Sequence, residues 1–171
     1  MPKVFVVAGP AASGKSRFAS KLAKHLQVEW LDFDDNIDEL IGANSSEIAL
    51  AGMEKFLENQ REARYQDLIS RAVVQLARGF DVVISAPFSK EVQDKQKWEL
   101  RFEPLRKNGT ETLYWISTKP EVRRDRMKAR SSIRDVQKES GYDFKTIRPL
   151  VDFIEVDGEG NFDEIIRNIE K

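Results

Sequence analysis

The sequence has no cysteine and a single histidine, His25. The first absence excludes disulfides and thiolate metal sites, and it fits a reducing, cytoplasmic setting. The lone histidine closes the first helical stretch, far from any motif, and receives no catalytic role. No apolar stretch approaches the length needed to span a bilayer. The opening apolar run is too short for a signal peptide and leads straight into a glycine-rich loop, so it reads as a buried strand. Neither sign of charge dominates: 28 Lys and Arg stand against 29 Asp and Glu. Such a chain has no net field to hold a nucleic-acid backbone or an anionic membrane, so any attraction to phosphate must be local. Internal repeats, low-complexity tracts and linkers are also missing. The 171 residues therefore read as one domain, 1–171, expected to be a monomer or weak dimer without a nucleic-acid or membrane partner.

What is present is an alternation. Apolar runs of strand length recur at 4–8, 28–31, 82–86, 112–116 and 153–156, with helical patterns between them. Runs that are apolar at nearly every position suit a parallel sheet covered on both faces, a three-layer α/β/α arrangement of five strands. The first helix is expected over 15–26, where Phe18, Ala19, Leu22, Ala23 and Leu26 form one stripe. A long helical region is expected over 47–78, stopped by Gly79. Further helices are expected around Trp98, Phe102 and Leu105, over 122–130 and over 162–169.

Between the first strand and the first helix lies Gly9-Pro10-Ala11-Ala12-Ser13-Gly14-Lys15-Ser16, which satisfies G-x-x-x-x-G-K-[ST]. Glycines at both ends let successive backbone N–H groups turn inward, and the helix start adds the positive end of its dipole. The candidates for holding a nucleotide's phosphates are Gly9, Ala11, Ala12, Ser13, Gly14, Lys15, Ser16 and Arg17. Lys15 can reach the β- and γ-phosphates, and the Ser16 hydroxyl can ligate Mg²⁺. ATP and Mg²⁺ are thus the expected cofactors.

The second strand ends in Asp32-Phe33-Asp34-Asp35. Carboxylates so close repel one another unless cations or donors meet them. In an extended chain Asp32 and Asp34 project to the same side, where one can join the magnesium shell and the other can orient an attacking hydroxyl. The alternative is a solvated acidic loop that caps the next helix, a role for which Asp34, Asp35 and Asn36 are also suited.

The phosphate loop, the first helix and the Asp32-x-Asp34 strand end resemble the shikimate kinase and gluconate kinase branch of the nucleoside-monophosphate-kinase-like P-loop proteins. The overall pattern is similar to small-molecule kinase-like ATPases of AAA type. In that branch the magnesium-linked carboxylate follows the second strand, and an acid ending the third strand is often lacking. Here Asp81-Val82-Val83-Ile84-Ser85-Ala86-Pro87-Phe88 has none at its end. The resemblance implies a P-loop NTPase fold with a short LID at about 119–140 and an acceptor-binding helical region at about 36–70. It implies an ATP-dependent kinase acting on a small molecule, with Asp32 and Ser16 toward the metal and Asp34 toward the acceptor. Arg61 and Arg64 lie in the stretch similar in placement to the one that supplies a substrate-binding Arg in shikimate kinases. Those kinases carry a run of glycines where this chain has Ser85-Ala86-Pro87-Phe88, so shikimate itself is not carried over.

Arg123, Arg126, Arg130 and Arg134 fall on one narrow face if their segment is helical. A bound polyphosphate would relieve their repulsion, and so would ion pairs with acids such as Asp125 and Asp135. The resemblance to a LID gives Arg126 the adenine face and Arg130 and Arg134 the phosphates. It also brings Pro149, through its backbone, to the adenine. Arg61 and Arg64 can clamp an acceptor or form an ion-pair ladder with Glu58 or Asp67. Lys90 and Trp98 border the expected acceptor pocket, although a Trp at helical spacing with Phe102 and Leu105 also suits the core. Two other functions remain open: a nucleotide-binding, ATP-hydrolysing regulatory module, and a kinase of nucleotides, sugar nucleotides or nucleic-acid ends.

Overall fold

The computed structural model describes residues 1–130 and 145–169, without the side chain of Arg130. Five strands form one sheet: β1 (Lys3–Ala8), β2 (Glu29–Asp32), β3 (Val82–Ala86), β4 (Thr110–Ser117) and β5 (Ile154–Asp157). Their order is β2-β3-β1-β4-β5 and every pairing is parallel. β1 sits at the centre, with Val4, Phe5, Val6, Val7 and Ala8 all buried, as a strand covered on both faces must be. The expected parallel α/β sheet is the one found, and the strand bounds shift by one or two residues.

Two apolar layers flank the sheet. On one side α1 (Lys15–Leu26) inserts Phe18, Ala19, Leu22 and Ala23, joined by Phe162 and Ile166 of α7 (Phe162–Arg167). The Phe18 and Phe162 rings meet edge to face at 5.3 Å. On the other side α4 (Met53–Ala77) and α5 (Lys95–Arg106) bury Tyr65, Leu68, Leu76, Trp98, Phe102 and Leu105. Trp98 is 3% exposed and stacks on Phe102 at 3.9 Å, so it belongs to this core. Full burial of side chains of this size stabilises by roughly 1.5–3 kcal/mol each.

The region expected as one helix over 47–78 is divided. After α2 (Ile37–Ala43), the helix α3 (Ser45–Ala51) ends at Gly52, which has φ 84° and ψ 150°, a conformation that glycine adopts without a side-chain clash. α4 then starts anew and runs to Ala77, just before Gly79. α6 (Pro120–Arg130) follows β4. Among the described residues no helix is long and apolar enough to cross a membrane.

Candidate active site

The phosphate loop leaves the end of β1 and enters α1. Ala12 (φ 60°) and Gly14 (φ 101°) both take left-handed backbone conformations, and the Ser13 N–H donates to the Pro10 carbonyl at 3.2 Å. Gly14 occupies the cap position of α1 and provides no side-chain cap, the arrangement shared by helix starts that receive anions. The loop is tied to the rest of the crevice by other residues. Thr118 Oγ1 donates to the Ser13 carbonyl at 2.8 Å. Arg126, from α6, donates to the carbonyls of Ser13 at 3.1 Å and of Gly158 at 2.8 Å, with a longer contact to that of Ala12 at 3.5 Å.

β3 separates β2 from β1, yet the end of β2 reaches the loop. The Ser16 hydroxyl and the Lys15 charge both lie close enough to the Asp32 carboxyl to favour its ionised form. Burial pushes the Asp32 carboxyl above the usual carboxylate range, and the neighbouring Asp34 charge adds to that. The Asp34 N–H, the Ser16 hydroxyl and Lys15 oppose it. The chain does not stay extended after Asp32 as the sequence reading expects. It turns, with the Asp34 N–H donating to Asp32 Oδ1 at 3.0 Å and the Phe33 N–H to the Ser85 carbonyl at 2.8 Å. The turn keeps both carboxyls on the crevice side. Asp34 pairs with Arg64 at 2.9 Å, while Asp35 pairs outward with Arg71 at 3.5 Å.

α4 and the segment after β3 bring a second group of charged side chains together. The Arg64 guanidinium lies over the Phe33 ring at 4.0 Å and also donates to the Phe33 carbonyl at 2.8 Å. Arg61 makes a two-pronged pair with Glu91, at 3.3 and 3.0 Å, and lies over the Tyr65 ring at 4.6 Å. Glu91 is buried and also faces Arg101 at 3.6 Å. Lys90 pairs with Glu58 at 2.6 Å. The partners of Arg61 and Arg64 are therefore Glu91 and Asp34, not the Glu58 and Asp67 of the ladder alternative.

Of the residues read from sequence, Arg126 is tied to the loop at Ala12 and Ser13, Asp32 stands near Ser16 and Lys15, and Asp34 pairs with Arg64, while Arg61 and Lys90 pair with Glu91 and Glu58. Arg17 is exposed, with its guanidinium 5.5 Å from the Phe162 ring centroid, and Pro149 is buried. Arg134, the Arg130 side chain and the LID beyond residue 130 lie outside the described residues. Sequence reasoning missed Glu91, Arg101, Tyr65 and Thr118. Tyr65 alone had a local signal, lying four residues after Arg61 on the same helix.

Among the described residues, no cluster of three or more metal-binding side chains exists. A magnesium ion beside a nucleotide needs only one or two protein ligands, and the contact between Ser16 and Asp32 is a donor set of that size. Fold, loop and acidic strand end together define a phosphate-loop nucleotide-binding protein of kinase-like build. A family model described as an AAA domain matches residues 4–145, and the chain belongs to that family.

Over 82 residues the chain is 33% identical to the shikimate kinase of Francisella tularensis subsp. novicida, a stretch covering 47% of this chain and 46% of that enzyme. The chain thus spans about half the length of the curated relatives it matches. The fold is shared with a gluconokinase from Sinorhizobium meliloti (TM-score 0.63, 17% identity, 97% of this chain and 88% of that one). It is shared as well with the Mycobacterium tuberculosis APS kinase solved with AMPPNP and APS (TM-score 0.65, 17% identity, 97% and 93%). The resemblance to the shikimate and gluconate kinase group, read first from the loop and Asp32-x-Asp34, therefore stands.

Proposed function

We propose that this chain is an ATP-dependent phosphotransferase that moves the γ-phosphate to a hydroxyl of a small-molecule acceptor, assisted by Mg²⁺. The observation that carries this reading is the contact between Ser16 and Asp32, made beside Lys15. A hydroxyl and a carboxylate at the mouth of a phosphate loop are what a magnesium ion takes from a protein when phosphates fill the rest of its shell. Bound there, ATP with its metal would supply the transferable phosphoryl group, and the metal would offset the charge of the phosphates.

The chain's own residues do the remainder. The loop amides hold the phosphate oxygens, and Lys15 draws negative charge toward the β- and γ-positions. Asp34 accepts the acceptor hydroxyl's proton or orients that hydroxyl, and Arg64 fixes where Asp34 sits. The edge of Arg126 is tied to backbone carbonyls, so its planar face is the part a base can stack on. The resemblance to a LID assigns Arg130 and Arg134 to the phosphates and the backbone near Pro149 to the base.

The test is ADP release measured over a panel of hydroxylated acceptors. Acceptor-dependent turnover that Lys15→Ala removes is the expected result. Turnover that stays flat across sugars, cyclitols and nucleosides, with slow ATP hydrolysis persisting, would favour the regulatory module instead.

A further inference from the structure

The acceptor side of the crevice is rich in charge, and that charge is matched internally. Arg61 is paired with Glu91, Arg64 with Asp34, Arg101 with Glu62 and Glu91, and Lys90 with Glu58. Four cations face four carboxylates. Farther along α4, Arg71 is paired with Asp35 and Asp67, and past α6 Arg148 is paired with Glu155. The pairs differ in how easily they open. The Glu91 side chain is only 4% exposed and takes both prongs of Arg61, whereas the Glu58 side chain is 59% exposed. An incoming anion that displaced Glu91 from Arg61 would leave a buried carboxylate with only its 3.6 Å contact to Arg101, which already pairs with Glu62, and that is disfavoured. An anion that left the pairs closed would bring an uncompensated charge into a half-buried crevice.

We propose that this crevice selects a neutral, polyhydroxylated acceptor over carboxylate- or phosphate-bearing ones, and that Glu91 is the specificity-determining residue because it cancels the charge of Arg61 and Arg101. The inference rests on the phosphotransfer reading and narrows its substrate class. Hydroxyl groups suit such a lining, since they can donate to Asp34 and accept from the arginine edges without opening any pair. Glu91 follows three residues after Ser85-Ala86-Pro87-Phe88, the stretch where the sequence departs from the glycine run of shikimate kinases.

The experiment has two arms. In the first, protein loaded with a non-hydrolysable ATP analogue and Mg²⁺, which fills the phosphate loop, is titrated calorimetrically with inorganic phosphate. The wild type should show no saturable binding below the millimolar range, and Glu91→Gln should bind phosphate at least about tenfold more tightly, a factor worth about 1.4 kcal/mol. Glu58→Gln, at an exposed position, should show a smaller gain in the same direction and keeps the test decisive if Glu91→Gln fails to fold. Tight phosphate binding by the wild type, or no gain in a folded Glu91→Gln, overturns the proposal.

In the second arm ADP release is compared for matched pairs, glucose against gluconate and myo-inositol against its monophosphate. A preference for the neutral member that Glu91→Gln narrows supports the proposal, and a preference for the anionic member overturns it. If both members of every pair are inert while ATP hydrolysis continues, the phosphotransfer reading falls. The phosphate titration still decides the charge preference of the crevice.

Discussion

The Ser16 hydroxyl reaches the Asp32 carboxyl closely enough to favour its ionised form, although β3 lies between the strands that lead to them. The contact exists because β2 ends level with β3, Asp32 pairing with Ser85, while the loop after β1 curls back over the same sheet edge. Two backbone paths that the sequence separates by sixteen positions thus converge on one small volume of negative charge beside Lys15.

Asp32→Asn tests what that charge is for. Burial raises the Asp32 value above its ordinary 3.8, so the fold favours the protonated form. A raised carboxyl contributes stability that is present below the ordinary value and is lost as pH rises through the folded one. At pH 7 the ionised carboxylate therefore works against the nucleotide-free fold. The variant should melt at a higher temperature than the wild type at pH 7, with the gap closing as pH falls below 3.8. Its Mg²⁺-dependent turnover should fall by about 10²–10³-fold, the typical effect of removing one electrostatic contact from a transition state. A variant that is both unstable and fully active would show that Asp32 is structural.

Asp34→Asn separates proton handling from nucleotide binding. Asp34 is held by Arg64, and its N–H is held by Asp32. ATP affinity should stay within a few-fold, while turnover should drop by about 10²–10⁴-fold, as for the loss of a positioned general base. Arg64→Met should keep the carboxylate but lose its orientation, giving a smaller loss in kcat and a changed pH profile. Equal effects on ATP affinity from both variants would place Asp34 in the nucleotide site instead.

Much of this architecture could be read from local sequence. The bounds of α1 and β3 match the expectation at 15–26 and 82–86, because an amphipathic stripe and a run opening with Val82, Val83 and Ile84 each declare themselves within a few residues. The break at Gly52 could not be read, since a lone glycine in a helical pattern is tolerated unless its neighbours force φ positive. The turn after Asp32 replaces the extended course the sequence suggested: Asp32 Oδ1 accepts the Asp34 N–H and the Asp32 carbonyl accepts the Asp35 N–H. Arg61 was visible but Glu91, its partner thirty positions on, was not. The sequence displays which residue types are present. Strand order decides which of them meet.

Gly158→Ala should damage the phosphate loop from a distance. A methyl group at Gly158 would overlap Thr118 Oγ1 and come within 2.5 Å of the Ser13 carbonyl, the atom that both Thr118 and Arg126 hold. Backbone cannot yield there as a flexible side chain could. Nucleotide affinity should weaken by at least about tenfold, equivalent to 1.4 kcal/mol, when followed by fluorescence titration. Thr118→Val removes one tether without the clash and should weaken binding less. Wild-type affinity in Gly158→Ala would mean that the loop is held in place without this brace.

Tyr65→Phe isolates one hydroxyl beneath the acceptor side. Tyr65 is fully buried, with its ring 4.3 Å from Phe33 and 5.1 Å from Phe88. Its hydroxyl accepts the Phe88 N–H at 3.0 Å, and burial, with the Glu91 charge adding to it, holds the phenol protonated well above its ordinary range. Phe88 sits at φ 47°, an unusual conformation for a bulky residue that persists only when its surroundings fix it. Deleting the hydroxyl leaves a buried N–H without its partner, at a cost of about 1–3 kcal/mol, readable by urea denaturation. The segment that follows carries Lys90 and Glu91, so relaxation at Phe88 should also disturb the Arg61 pair. Acceptor KM should therefore rise while ATP affinity holds. If stability falls and both substrates are affected equally, Tyr65 supports the fold as a whole and has no selective link to the acceptor side.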